Sequence, residues 1–301
     1  MGIRHYIGIS DFTAEEIFQI TWTALAKPPP VRALDANQGA VALVFKEPST
    51  RTRVSFELAA QRLGWPFVFF QQKESSLSKG ETLEDTVRNL HALGVGTFVI
   101  RTSETGGLEA CRKLNLGPVV NAGDGVGEHP TQALLDLATL LDSVGWDQSK
   151  VCKLKVGILG DLRRSRVAHS WALLSEKLGM KLVLMSPQEW KPSWAGNIEW
   201  ASDKAAIRDL DVLMVLRVQK ERGGESTAEN AVAESFVRDF QVRPIDLSPV
   251  QKLMHPGPVN WGVELSPEFL DDPRSLILKQ VKNGLFVRAT LLDWLRRESR
   301  S

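Results

Sequence analysis

The sequence predicts an α/β protein of two similar domains, each a parallel sheet with helices on both faces. Three observations carry this expectation. Short apolar, β-branched runs alternate with longer helical patterns along the chain, and a strand can return parallel to its neighbour only by crossing over through such a helix. The length of 301 residues accommodates two cores at about 150 residues per domain. A polar stretch at 145–150 separates a long helical pattern from a fresh strand pattern.

Taken in order, the strand runs are 41–45, 67–70, 97–100, 119–120, 154–159, 181–185, 212–216 and 252–254, about four in each half. The first helix, 13–26, opens on the capping box Thr13-x-x-Glu16 and stops at Pro28-Pro29-Pro30, whose rings cannot continue a helix. Further helices are expected at 51–63, 81–93, 130–144, 166–178 and 234–239, and an amphipathic one at 283–298. The domains are placed at 1–145 and 146–282. Segment 283–301 is expected to pack back on the first domain through Leu285, Leu291, Leu292 and Leu295.

Composition removes several functional classes. With 37 Lys+Arg against 36 Asp+Glu, the chain lacks the bulk positive field of a nucleic-acid or anionic-membrane binder. No apolar run approaches the roughly 18 residues of a membrane-spanning helix, and Asp11, Glu15 and Glu16 interrupt any signal-like segment. A cytoplasmic location is expected, without nucleic acid or membrane as partner. Cys111 and Cys152 belong to no metal-ligand or paired-cysteine pattern, so no metal site and no disulfide framework are expected.

Ligands of open α/β sheets sit beyond the carboxyl ends of the strands, and those ends are polar here. The first strand leads to Lys46-Glu47-Pro48-Ser49-Thr50-Arg51-Thr52-Arg53, the third to Arg101-Thr102-Ser103, and the fourth to Asn121-Ala122-Gly123-Asp124-Gly125 and then His129-Pro130-Thr131-Gln132. In the second half, strand ends lead to Asp161 with Arg163, Arg164 and Arg166, to Arg217-Val218-Gln219-Lys220, and to His255-Pro256-Gly257-Pro258. Ser49-Thr50-Arg51-Thr52 stands where a loop becomes a helix, so backbone N–H groups, hydroxyls and a guanidinium can meet one phosphate. The Walker pattern and a complete GxGxxG are both missing, which assigns that phosphate to a small molecule rather than a nucleotide. His129 and Gln132 lie one helical turn apart on one face. Segment 75–81 reads by itself as an exposed polar loop before a helix. No nucleophile with a partner base stands out, which favours direct displacement over a covalent intermediate.

Ser49-Thr50-Arg51-Thr52-Arg53, His129-Pro130-Thr131-Gln132 and His255-Pro256-Gly257-Pro258, in that order, resemble the aspartate/ornithine carbamoyltransferase family. Phe45-Lys46-Glu47-Pro48, Asn121-Ala122-Gly123-Asp124-Gly125 and Gly160-Asp161-Leu162 with Ser165-Arg166 are also similar to that family, so the likeness runs over nearly the whole chain. Arg217-Val218-Gln219-Lys220-Glu221-Arg222 and the His-Pro-Gly-Pro form resemble the aspartate branch; the His-Cys-Leu-Pro and Ser-Met-Gly patterns of the ornithine branch are absent. Arginines also suit a dicarboxylate, which each guanidinium can grip in a bidentate manner, and would repel the distal ammonium of ornithine.

The resemblance implies a carbamoyl-phosphate domain followed by an aspartate domain, in a homotrimer whose sites are shared between subunits. It implies attack of the aspartate α-amino group on carbamoyl phosphate, with no metal and no organic cofactor. Ser49, Thr50, Arg51 and Arg101, with Ser76 and Lys79 of a neighbouring chain, would hold the phosphate. Thr52, Arg101 and His129 would donate to the carbonyl oxygen, making Arg51, Thr52, Arg101 and His129 the catalytic set. Gln132 and carbonyls of the turn containing Gly257 and Pro258 would accept from the carbamoyl NH₂, while Lys79, Arg166, Arg217 and Gln219 would place L-aspartate. Regulatory chains or a dihydroorotase are further partners that the resemblance admits. Ornithine as acceptor, or a silent assembly subunit, are the alternatives that the sequence leaves open. One departure stands at Trp261, where many members carry an arginine.

Overall fold

The computed structural model describes residues 2–35, 39–71, 81–218 and 227–299. It divides into two compact units, Met1–Trp146 with Val281–Ser301, and Asp147–Gln280.

The first unit contains α1 (Ala14–Ala26), β1 (Ala40–Phe45), α2 (Thr50–Arg62), β2 (Phe67–Gln71), α3 (Leu83–Ala92), β3 (Val95–Thr102), α4 (Gly107–Lys113), β4 (Val119–Asp124) and α5 (Pro130–Ser143). The capping box forms as expected: Thr13 Oγ1 accepts the Glu16 N–H at 3.2 Å and the Glu16 carboxylate accepts the Thr13 N–H at 2.8 Å. The four strands are parallel in the order β2-β1-β3-β4. Ala42, Val44, Phe98 and Ile100 pack with Val87 and Leu90 of α3 and Leu108 of α4. Helix α5 is buried on every side from Pro130 to Leu141, taking Gln132, Asp136 and Thr139 into the interior with its leucines.

The second unit contains α6 (Gln148–Lys153), β5 (Lys155–Leu159), α7 (Arg166–Leu178), β6 (Lys181–Met185), β7 (Glu199–Ala201), β8 (Val212–Val215), α8 (Thr227–Phe240) and β9 (Lys252–Met254). Its strands are also parallel, in the order β7-β6-β5-β8-β9. Helix α9 (Ile277–Glu298) starts earlier than the apolar spacing predicts. Its later residues meet the first unit: Asn283 Nδ2 donates to Thr139 Oγ1 of α5 at 2.9 Å, and Arg296 Nη2 donates to Thr97 Oγ1 of β3 at 3.1 Å.

Both sheets grow outward from a central pair. The chain goes from β1 to β2 on one side and through β3 to β4 on the other; likewise from β5 to β6 and β7, then through β8 to β9. The crevice where the order reverses lies beyond the carboxyl ends of β1 and β3 in one unit, and of β5 and β8 in the other, and such switch points bind ligands in this fold class.

Other local expectations change: α8 begins at Thr227, and the short helices α4 and α6 are added. The second sheet has five strands rather than four, because the short run Glu199–Ala201 pairs with β6 at the edge; an element of three residues is too short to show a period. Strand β4 continues through Asn121 to Asp124, since Ile100 pairs with Asn121 and Thr102 with Asp124 across from β3; the polar side chains there disguise a buried strand. Strand β8 stops at Val215.

Candidate functional site

In the first unit, the register pairs Phe45 of β1 with Arg101 of β3, and the Lys46 N–H donates to the Arg101 carbonyl at 2.8 Å. The stretch that follows β1 therefore starts beside Arg101. Ser49 is the N-cap of α2, yet its side chain makes no capping hydrogen bond. Thr52 is buried in the first turn and Arg51 is exposed. The orphan N–H groups and positive dipole end of a helix start favour an anion.

Arg101 reaches two ways. Its Nη1 donates to the Ala122 carbonyl at the end of β4 (3.1 Å), and its Nη2 lies 2.6 Å from Oε1 of Glu47. Lys46 faces Glu104 at 3.6 Å. Two cations at the switch point are thus met by carboxylates of the same loops. A third, Arg288 of α9, is fully buried, donates to Ser55 Oγ and lies 5.0 Å over the Phe56 ring. Burial pushes the Arg288 guanidinium down to about 10; the Asp136 carboxylate opposes that shift and the nearby positive charge of Arg51 adds to it.

Beyond β4, Asn121 organises the approach to α5. Its amide nitrogen donates to the carbonyls of Ile7 (2.8 Å) and Glu128 (3.3 Å), while its oxygen accepts the Gly123 N–H at 2.7 Å. This pins the residue before His129. His129 is the buried N-cap of α5, with Pro130 at the first helical position. One turn on, buried Gln132 donates from Nε2 to Asp136 Oδ1 at 2.9 Å.

In the second unit, Ser165 caps α7 by accepting the Ala168 N–H at 3.2 Å, and Arg166, the first helical residue, is buried. Arg164 lies 3.7 Å from the buried Asp161 at the end of β5. Across the switch point, Leu216 donates its N–H to the Leu159 carbonyl at 2.7 Å, so the chain that enters half-buried Arg217 leaves directly beside β5.

The turn after β9 is built around His255. Its Nδ1 accepts the Gly257 N–H at 2.7 Å, which leaves the proton of the neutral ring on Nε2, 3.2 Å from Oε1 of buried Glu264. The same carboxylate oxygen accepts the Asn260 N–H at 2.6 Å. Gly257 adopts φ 67°, a left-handed conformation open to glycine at little cost, and a cis peptide joins it to Pro258. Trp261, in the place where an arginine is expected, is partly exposed, and its backbone bridges to Leu265.

Of the expected residues of the first half, Ser49 caps α2 with Thr50, Arg51 and Thr52 in its first turn, Arg101 lies near the end of β3, and His129 and Gln132 stand at the start of α5. Arg166 opens α7, Arg217 follows β8, and Gly257 and Pro258 follow β9. Ser76, Lys79 and Gln219 lie outside the described residues. Sequence reasoning assigned no role to Glu47, Asp136 or Arg288. Glu47 is adjacent to the quoted motif, whereas nothing in the sequence marks Asp136 or Arg288 apart from other polar residues of amphipathic helices. Among the described residues, no group of three His, Cys, Asp or Glu side chains is arranged to hold a metal ion, and no helix is long and apolar enough to cross a membrane. Cys111 is buried, and burial pushes its thiol up to about 12.

Two parallel α/β units, each with arginine-bearing strand ends at its switch point, define a two-domain enzyme acting on small anionic substrates. Residues 4–142 match the family description "Aspartate/ornithine carbamoyltransferase, carbamoyl-P binding domain", and residues 152–295 match "Aspartate/ornithine carbamoyltransferase, Asp/Orn binding domain". The chain belongs to the aspartate/ornithine carbamoyltransferase family. It is 36% identical over 297 residues to the aspartate carbamoyltransferase catalytic subunit of Staphylococcus epidermidis, covering 97% of this chain and 99% of the relative. It is 40% identical over 299 residues to that of Thermus aquaticus, covering 96% and 97%. Among solved structures, it is similar to aspartate transcarbamoylase from Trypanosoma cruzi in complex with carbamoyl phosphate and aspartate, with a TM-score of 0.81, 27% identity and coverage of 97% and 96%.

Proposed function

We propose that the chain transfers the carbamoyl group of carbamoyl phosphate to the α-amino group of L-aspartate. The products are N-carbamoyl-L-aspartate and phosphate, an early step toward pyrimidines in the cytoplasm. The observation that supports this reading is the juxtaposition of Phe45 and Arg101 in register on β1 and β3, so the loop that leads to the Ser49 to Thr52 helix start begins beside an arginine at one switch point. The names of the relatives and the ligands of the Trypanosoma cruzi enzyme support the choice of aspartate over ornithine.

The neutral amine of aspartate attacks the carbonyl carbon, forming a C–N bond and a tetrahedral oxyanion. The oxyanion collapses, the bond from carbon to the bridging oxygen breaks, and phosphate leaves with both electrons, taking up the proton that the amine loses. Thr52, Arg101 and His129 donate to the oxygen as its charge grows, each such donor contributing roughly 3 to 4 kcal/mol in a dry, preorganised site. Ser49, Thr50, Arg51 and Arg101 hold the phosphate, joined by Ser76 and Lys79 of a neighbouring chain in a homotrimer. Gln132 and the carbonyls at Gly257 and Pro258 accept from the carbamoyl NH₂ and fix its orientation. Lys79, Arg166, Arg217 and Gln219 place the two aspartate carboxylates. No step calls on a metal or an organic cofactor.

The test is an assay of the purified protein for carbamoyl aspartate, run with aspartate and with ornithine beside a native mass measurement. Turnover with aspartate in a trimer is expected. Turnover confined to ornithine, or none with either acceptor, would reject the reading, and the same mass measurement reports any regulatory chain or dihydroorotase that co-purifies.

A further inference from the structure

We propose that Asp136 is a positioning residue that sets substrate choice at the carbamoyl group, by holding the Gln132 amide with its oxygen toward the substrate nitrogen. The inference rests on the reading that Gln132 accepts from the carbamoyl NH₂. It adds the residue that decides which end of that amide the substrate meets.

An amide side chain carries a donor and an acceptor of nearly equal shape, so a glutamine facing a ligand recognises opposite partners in its two orientations. Here one orientation is selected. Gln132 Nε2 donates to Asp136 Oδ1 at 2.9 Å, with both side chains buried and four residues apart on α5. A carboxylate has no proton to give, so the amide nitrogen must face it and Oε1 must point away. Gln132 Oε1 takes no hydrogen bond among the described residues, which leaves the acceptor open to a ligand.

The selection uses Asp136 as the acceptor behind Gln132. Asp136 is completely buried in a helix otherwise lined by Leu134, Leu135, Leu137 and Ala138, a setting where an unpaired carboxylate is costly. Arg288, itself buried on α9, feels the Asp136 carboxylate, which opposes the downward shift that burial imposes on it, while Arg51 adds to that shift. Asp136 keeps a fixed acceptor behind Gln132, where a neutral residue that both donates and accepts would tolerate either amide orientation.

The chemical consequence is discrimination between two isosteres. Carbamoyl phosphate presents NH₂ where acetyl phosphate presents CH₃. An acceptor held at that point favours the first, because a site built for an N–H penalises an analogue lacking it. Inorganic phosphate has neither group and reports on the anion site alone.

The experiment compares wild type, Gln132→Met and Asp136→Asn as full-length enzyme, reading kcat/KM for carbamoyl phosphate and inhibition constants for acetyl phosphate and inorganic phosphate. Asp136→Asn should lower the preference for carbamoyl over acetyl phosphate by about five- to tenfold, the worth of one hydrogen bond, with inorganic phosphate unchanged. Gln132→Met should lower it at least as much, and combining the two should add little. If Gln132→Met loses the preference while Asp136→Asn keeps it, the coupling is overturned and Asp136 is structural only. If Gln132→Met keeps the preference, the assignment of Gln132 itself fails and this proposal with it. Should Asp136→Asn not fold, because buried Arg288 then lacks the carboxylate in its field, the double variant with Arg288→Met removes both charges and the same ratio decides.

Discussion

Arg101 Nη2 lies 2.6 Å from Glu47 Oε1, with both side chains nearly buried. Arg101 stands near the end of β3 and Glu47 just beyond β1, its neighbour at the switch point of the first sheet, so the guanidinium assigned to phosphate is engaged by a carboxylate from the adjacent strand's loop. An incoming phosphate competes with Glu47 for that cation. Glu47→Gln should therefore tighten inorganic phosphate binding by about tenfold, the effect of removing one partly screened negative charge. Titration calorimetry reads this directly. Weaker binding would instead make Glu47 the group that aims Arg101.

Arg51 is exposed at the start of α2, where truncation removes no core contact and shifts stability by about 0.5 kcal/mol or less. Arg51→Ala should fold normally, by circular dichroism and denaturant midpoint, and lose on the order of a hundred- to a thousandfold in kcat. Near-normal kcat/KM would reject the phosphate assignment.

Arg217 follows β8 in the second unit and is assigned to an aspartate carboxylate. Arg217→Ala should raise KM for aspartate by on the order of a hundredfold, the loss of one bidentate charged contact. Affinity for carbamoyl phosphate should hardly change. Equal losses in both, measured by calorimetry, would mean that the two ligands are not divided between the units as proposed.

The shared-site reading makes a prediction that no single chain can imitate. Lys79→Ala and Arg51→Ala homotrimers should each be nearly inactive, because every site lacks one group. After mild dissociation and mixing of equal amounts, about a quarter of sites should regain both groups in a cyclic head-to-tail ring. No recovery, with mixed trimers confirmed by native mass measurement, would place Lys79 outside the neighbour's site.

The α/β class and most strands were legible from the residues alone, because a β-branched run such as 181–185 and the capping box at Thr13 express local preferences between residues a few positions apart. The candidate residues after β1, β3 and β4 were legible for a related reason: in a parallel sheet every strand ends at the same edge, so polar strand ends announce a common ligand side before any strand order is known. What the tertiary structure decided is who faces whom. The order β2-β1-β3-β4 put Arg101 beside the loop carrying Glu47. Pairing with β3 drew polar Asn121 to Asp124 into a strand. Arg288 reached Ser55 across 233 positions of sequence and came within the field of Asp136. The orientation of Gln132 follows from its hydrogen bond to buried Asp136, since an amide has no preferred end until a fixed acceptor stands behind it. Hydrophobic periodicity is a property of neighbours in the chain, whereas the partner of a buried charge is chosen by the packing of whole elements, and only the folded structure makes that choice.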